Sequence, residues 1–464
     1  MVLEIDVVVI GAGPAGLCAA TRAAQAGLSV VVLDEQAAPG GQIYRAVEAA
    51  SAARRRILGP DYEKGLDIVA AFRRSEAKLI SGATVWNVAT DKLIDFSQSG
   101  QAQCVRARAV VAASGALERP SPMPGWTLPG VTTVGALQIL LKSAGMVPDG
   151  VVLAGAGPLL WLVAAQLIAA GAPPLAILDT VSPRQMLAAL RHLPRALRAK
   201  AYIAKGREML AVVRASGVPV HRYVRDIRIE GNTAVEAISF KAAGGRLRIA
   251  TRAVALHQGV IPNQQISRLL RCEHVWDHGQ HCFRPILDEN FETSEPGLYI
   301  AGDAGGIGGA KAAALQGRIV GLHLANLAGR GDPAELRAAR TELARDLAIR
   351  PFLEALYAPA REILAPADGT IVCRCEEVTA GSIRTRVSVG APGPNQVKSL
   401  IRTGMGPCQG RVCGVVVSSI IAAARQEEPE RADYYRIRPP LKPIPLTELA
   451  EYPEMEFEIE AHEP

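Results

Sequence analysis

The sequence predicts an α/β protein made of two Rossmann-like, doubly wound parallel sheets, the second inserted in the first, with a small helical segment at the C-terminus. Three observations predict it. A glycine-rich strand-to-helix turn is written twice, at residues 7–16 (VVVIGAGPAG) and 151–160 (VVLAGAGPLL). A third glycine-rich turn, 302–309, follows the apolar run 297–301 late in the chain. Four of the eight cysteines gather between 373 and 413. With 464 residues, 49% of them hydrophobic and 21% charged, the chain is long enough and apolar enough for two or three packed cores.

In the first copy an apolar strand reaches Gly11, Gly13 and Gly16, an Ala-rich helix follows, and a second strand, 30–34, closes on Asp34. The first glycine of such a turn permits the bend, the second lets a pyrophosphate approach the backbone, and the third lets helix and strand pack closely. The acid accepts the ribose hydroxyls. Strand, helix and acid in register point to dinucleotide binding rather than to a bare structural turn.

Further strands are expected near 84–88 and 109–113, the latter closing at Ser114-Gly115, before a proline-rich linker at 120–130. The second copy keeps Gly155 and Gly157 but has Leu160 in place of the third glycine, and its second strand closes on Asp179. Leu160 pushes helix and strand apart. Two readings stay open there: a second nucleotide, with Asp179 favouring the free 2′-hydroxyl of NAD over NADP, or a retained fold that no longer binds one. The strand 297–301 and the turn at Gly302 and Asp303 belong back in the first unit. The expected domains are 1–130 with 286–332, 131–285 inserted between them, a helical connector 333–369, the cysteine segment 370–425, and an extended tail or strap 426–464.

The net charge of +6 is mild for this length, and with aromatics at 4% there is no basic, stacking surface for nucleic acid. Residues 151–178 could span a bilayer by length, but six glycines and prolines interrupt them, so no transmembrane segment is expected. The start lacks the basic and apolar regions of a signal peptide, which suggests a cytoplasmic protein with reduced thiols.

Cys373-Arg374-Cys375 and Cys408-Gln409-Gly410-Arg411-Val412-Cys413 form two tight pairs with spacings of one and four. Four thiolates in such pairs suit metal. Structural zinc usually takes pairs spaced two to four apart, so an iron-sulfur cluster is the better reading, helped by glycines whose N–H groups are free to approach sulfide. Arg374, Lys398, Arg402 and Arg411 would offset its negative charge. A second group, Cys272, His274, His278, His281 and Cys282, has metal-like spacing but reads better as a structured loop, and His257 as a packed side chain or a flavin neighbour. No Cys-x-x-Cys is present, which excludes dithiol-based disulfide reduction.

With Glu35, Pro39-Gly40-Gly41-Gln42-Ile43-Tyr44 and Tyr299-Ile300-Ala301-Gly302-Asp303, the chain resembles the two-dinucleotide-fold flavoproteins that include thioredoxin reductase. That resemblance implies FAD at Gly11, Gly13, Ala15, Gly16, Asp34, Glu35, Gly41, Gln42, Val85, Ser114, Gly115, Gly302 and Asp303, and a second site at Gly155, Gly157 and Asp179. The cysteine segment resembles the [2Fe-2S] domain of bacterioferritin-associated ferredoxin, with Cys373, Cys375, Cys408 and Cys413 as ligands. Taken together with residues 124–131 (PGWTLPGV), the chain is similar to the alpha subunits of octopine and nopaline oxidases, hydrogen cyanide synthase and D-hydroxyproline dehydrogenase. This implies an electron-transferring subunit of a heteromeric flavin-dependent dehydrogenase acting on CH–NH donors. Its implied partners are a catalytic beta flavoprotein similar to D-amino-acid oxidase and a small ferredoxin-like gamma subunit, with peripheral attachment to the inner membrane through such partners. The alternative is a self-contained NADH-dependent FAD/[2Fe-2S] reductase of a ferredoxin-like acceptor. A third reading is a scaffold that holds FAD only for structure.

Overall fold

A computed structural model describes residues 4–452. Its first sheet orders the strands Lys78–Ser81, Val30–Asp34, Glu4–Ile10 and Gln101–Ala112, all parallel. Val8, Val9, Val32 and Val111 are wholly buried, as expected of a parallel sheet covered on both faces. The strand Gln101–Ala112 is long enough to change partner. Its first half pairs antiparallel with Leu93–Gln98, and its last residues pair parallel with Leu298–Ile300. The late strand therefore returns to the first sheet, and the turn at Gly302 and Asp303 opens at the same edge as the first glycine turn.

Two helices fix that edge. Pro14–Gln25 and Ala310–Leu327 pack so closely that a Cβ on Gly317 would lie 1.9 Å from the Ala15 carbonyl oxygen, and one on Gly321 2.6 Å from that of Ala19. Only glycine allows this approach, and it brings both helix N-termini to one place.

The second sheet is also parallel, in the order Val220–Arg222, Ala176–Asp179, Val151–Ala156, Ala253–Gln258 and Val131–Thr133. An antiparallel sheet of three strands between Arg225 and Ala250 accompanies it. The chain leaves for this unit and comes back side by side, where Ala116–Glu118 pairs antiparallel with Val260–Pro262. That double crossing is the physical form of the insertion.

After the helices Pro333–Asp346 and Arg350–Leu356, the cysteine segment forms a short hairpin, Ile371–Cys373 with Val378–Thr379, and three helices. Its apolar helix Gly414–Arg425 is buried along most of its length. The segment beyond 425 is not a free tail. Tyr434 and Tyr435 enter the core of the cysteine segment, and the chain then crosses the first unit, where the Leu441 N–H donates to the Trp86 carbonyl at 2.7 Å and Tyr452 packs edge-on against Trp86. Residues 453–464 of the expected tail lie outside the described residues. No helix among the described residues is long and apolar enough to cross a membrane.

Candidate functional site

The first glycine turn opens into a cavity of about 530 Å³. Gly11, Gly13, Ala15, Asp34, Glu35 and Val85 line it from the first unit, and Gly41, Gln42, Ser114, Gly115, Gly302 and Asp303 continue the wall. Gly16 stands behind the turn, where a Cβ would meet the Gly11 carbonyl oxygen at 1.9 Å. Gly11 itself has φ +109°, and a Cβ there would come within 2.5 Å of the Ala113 carbonyl oxygen. Across the cavity, a Cβ on Gly41 would lie 2.7 Å from the Gly13 Cα. The backbone thus forms a narrow glycine-lined cradle of the kind a pyrophosphate needs.

Both acids are oriented by backbone. Asp34 accepts the Ala12 N–H at 2.5 Å and the Gln36 N–H at 2.7 Å. Asp303 Oδ1 accepts from Gly308 at 2.8 Å and Gly309 at 2.9 Å, which fixes it beside the N-terminus of the helix Ala310–Leu327. Lys442 from the C-terminal strap pairs with Glu35, so the strap closes the Asp34 side of the cavity.

The second turn is built differently. A Cβ on Gly155 would meet the His257 carbonyl oxygen at 1.7 Å, and one on Gly157 would meet its Nε2 at 2.7 Å. The imidazole therefore stands against the turn. His257 is 2% exposed, and its Nδ1 is 2.6 Å from Glu118 Oε1. Neither Gly155, Gly157 nor Asp179 lines the first cavity. Ligands of parallel sheets sit beyond the carboxyl ends of the strands; here the connector faces those ends across a cavity of about 1270 Å³, lined by Thr180, Ser182, Gln258 and residues 358–367, that does not include the glycines of the turn. Tyr357 neighbours Asp179 and Trp161, Gln185 donates to the Ala358 carbonyl at 2.7 Å, and Gln258 accepts the Ala360 N–H at 3.2 Å. Burial pushes the Tyr357 phenol up to about 12 and raises the Asp179 carboxyl as well.

The four C-terminal thiols meet as two pairs, Cys373 with Cys413 and Cys375 with Cys408. Contact with Cys413 and the N–H groups of Gly404, Glu376 and Cys375 draws the Cys373 thiol down to about 5, while the same contact and burial push Cys413 up, so without metal the pair shares a proton that metal binding would release. Among the described residues no three or more His, Cys, Asp or Glu side chains converge as they would around one ion. The pairs adjoin, since Cys375 also feels Cys373 and Cys413 also feels Cys408, a set of four thiols that would suit a [2Fe-2S] cluster. Close packing shapes the loop. A Cβ on Gly406 would fall 2.2 Å from that of Cys375, and one on Gly410 2.5 Å from the Tyr435 ring, whose hydroxyl lies 3.7 Å from Cys413 Sγ. Of the expected counter-charges, Arg402 pairs with Glu376 and Arg374 lies over Trp126, while Arg411 and Lys398 face the thiols.

The cysteine loop also forms part of the first cavity. Arg411 lines it, as does Gln265, whose Nε2 donates to the Gln409 carbonyl at 3.1 Å. Neither Gln265 nor the two tyrosines stand out in the sequence. The adjacent tyrosines, in a chain with few aromatics, are the one available signal.

The Cys272–Cys282 stretch is a docking hairpin. Its strands are His274–Asp277 and Cys282–Pro285, and Phe283 meets Tyr434 edge-on at 5.9 Å, with Arg268 over both rings. Both His274 ring nitrogens are engaged, by Ser267 Oγ and the Cys272 carbonyl. Burial and nearby cations draw His274 down to about 3 and His281 to about 4.

Residues 5–317 match the family described as pyridine nucleotide-disulphide oxidoreductase, and residues 371–423 match the BFD-like [2Fe-2S] binding domain. An opine oxidase subunit from Rhizobium meliloti (strain 1021) is 45% identical over 96% of this chain and 98% of its own length. This chain belongs to the pyridine nucleotide-disulphide oxidoreductases, in the family of that opine oxidase subunit. Hydrogen cyanide synthase subunit HcnB of Pseudomonas protegens, a more distant member, is 30% identical over 99% of this chain and all of its own. L-proline dehydrogenase from P. horikoshii shares the fold, with a TM-score of 0.72 over 96% of this chain and 79% of that one, at 18% identity. As a member of this family the chain is a flavin-dependent oxidoreductase with FAD and a [2Fe-2S] cluster as cofactors.

Proposed function

We propose that this chain is the electron-transferring subunit of a heteromeric flavin-dependent dehydrogenase of CH–NH donors, of opine, glycine or D-hydroxyproline type, and that it relays electrons between FAD and the [2Fe-2S] cluster. The observation that carries the reading is the shared wall. Gln265 and Arg411 join the cysteine loop to the cavity that holds the first glycine turn, so the two cofactor sites abut rather than merely share a chain.

Bound in the cavity, FAD supplies reversible two-electron chemistry. The chain's own residues bind and orient it. Gly11, Gly13 and Gly41 give the pyrophosphate its approach, Gly16 lets the helix pack close behind the turn, Asp34 and Glu35 take the adenosine ribose, and Asp303 and the helix after it take the ribityl and ring side. Cys373, Cys375, Cys408 and Cys413 hold the cluster in two pairs, with Arg411 offsetting its charge from the cavity side. The boundaries that suit this division are 1–130 with 286–332, 131–285, 333–369 and 370–425, the last completed by Tyr434 and Tyr435.

The whole-length relation to proteins named as subunits of an opine oxidase and of hydrogen cyanide synthase supports a catalytic partner, and the beta flavoprotein and small ferredoxin-like gamma chain are the partners this reading expects. It places the complex in the cytoplasm, reaching the inner membrane only through such partners. Against the NADH reductase stand Leu160 in the second turn, the His257 imidazole on Gly157, and the connector over Asp179. Purification of the native complex tests the proposal. A second flavoprotein should co-purify, and amine or imino-acid oxidation should require it; oxidation by this chain alone would refute the relay.

A further inference from the structure

The inserted unit contributes one side of the flavin cavity through a single helix face. On Val134–Ala144, Gly135, Gln138, Ile139 and Lys142 recur at helical spacing, and all four line the cavity. Lys142 is 3% exposed. Its ammonium donates to Gln138 Oε1 at 2.7 Å and to the Gln42 carbonyl at 3.1 Å, both neutral acceptors. Gln138 is held in turn, since its amide donates to Gln166 Oε1 at 2.9 Å and Gln166 donates to the Leu58 carbonyl at 3.0 Å. This amide chain aims an oxygen at the ammonium, and one of its three N–H groups remains for the cavity.

A buried ammonium is ordinarily paired with a carboxylate. Glu118, which lines the same side, is already engaged by the Gly135 N–H at 2.8 Å and by His257 at 2.6 Å. Gly135 and Lys142 are two helical turns apart, about 10 Å along the axis. Arg45 lines the cavity as well, and its Nε is buried without a partner. Burial, with Arg45 adding to it, draws the Lys142 ammonium down to about 7. Arg45 has the Asp34 carboxylate near it, whereas the hydrogen-bond partners of Lys142 are both neutral. With Gly13 and Asp34 taking the ADP half of the dinucleotide, the ring half is left the rest of the cavity, whose lining includes Gln42, Asp303 and Lys142.

We infer that Lys142 is an electrostatic positioning residue for the flavin ring, whose ammonium offsets the negative charge that two-electron reduction places there and so raises the flavin's midpoint potential. The inference rests on the FAD reading of this cavity. On reduction the ring takes two electrons from the donor and one proton from solvent, leaving one negative charge; Lys142 stabilises that charge and transfers nothing.

The test is Lys142→Met in the flavin-loaded protein at about pH 6, where the Lys142 amine is protonated, with the flavin potential read by equilibration against a redox dye and the cluster potential as an internal reference. The reduced-to-oxidised flavin ratio at a fixed dye ratio should fall about tenfold or more, with the cluster unchanged. The melting temperature should not fall, because an unpaired buried charge has been removed. Lys142→Arg, which keeps the charge, should hold the potential near that of the unaltered protein. If the Met variant sheds its flavin, the Arg variant decides: flavin retained at the original potential supports the inference, and flavin lost or shifted equally overturns it. An unchanged potential in a flavin-replete Met variant also overturns it, reducing Lys142 to a tie between helix and loop. Unaltered protein that carries no flavin at all overturns the FAD reading and this inference together.

Discussion

At the first glycine turn the space in front of the backbone is a cavity, and at the second the His257 imidazole stands in that place. Gly13 looks across to Gly41 over open space, whereas Gly157 looks onto the His257 imidazole, and Tyr357 from the connector neighbours Asp179. The two segments share strand, turn, helix and terminal acid. They differ in what stands against the second glycine of the turn, so a repeated motif records a repeated fold before it records a repeated function.

The sharpest way to break this contrast is to add one methyl group to each turn. Gly16→Ala forces a Cβ to within 1.9 Å of the Gly11 carbonyl and should cost about 3 kcal/mol or more, with loss of bound FAD. Gly157→Ala strains only a turn already closed by His257. With φ at +141° and the new Cβ 2.7 Å from the buried His257 ring, it should cost more than about 1 kcal/mol but leave the flavin-to-protein ratio of the folded protein unchanged; flavin loss of equal size in both variants would erase the distinction.

Cys408→Ser should abolish the cluster's visible absorbance and leave most of the flavin, since the glycine cradle and Asp34 lie on other segments. Asp303→Ala should act in the opposite sense, lowering flavin retention in gel filtration while iron content stays near about two per chain. If either substitution removed both cofactors alike, the two sites would not be separable as described.

A smaller effect is expected from pH. His274 and His281 are held neutral in the folded hairpin, near 3 and 4 against an ordinary 6.5, so between those values the unfolded chain binds more protons. Stability contributed by the hairpin is present above about pH 6.5 and is lost as pH falls toward about 4. Denaturant midpoints measured from about pH 7 down to about 4.5 should decline, and less so in His274→Gln.

How much of this is readable in advance follows from the distance over which each feature is encoded. Gly11 through Gly16, Asp34 and the four cysteines are local spacings, and each lies on the element its spacing implies. Asp303 is readable because a strand and a glycine turn flank it. Lys142 is not, since it becomes part of the cavity only when a helix of the inserted unit packs on the loop at Gln42, 100 residues earlier. The same holds for Gln265, which joins the cysteine loop across 144 residues, and for Tyr434 and Tyr435, whose glycine partners precede them in what reads as a separate domain. The metal-like spacing at Cys272–Cys282 is the converse case. Its histidines satisfy hydrogen bonds within a docking hairpin, and spacing alone does not show that.

The central claim is that one nucleotide site serves electron transfer and the other does not, and anaerobic stopped-flow mixing of the flavin-loaded protein with NADH tests it most directly. The flavin absorbance should stay oxidised over seconds at stoichiometric NADH and bleach on dithionite. Prompt bleaching by NADH would show the second site to be working and would contradict the account.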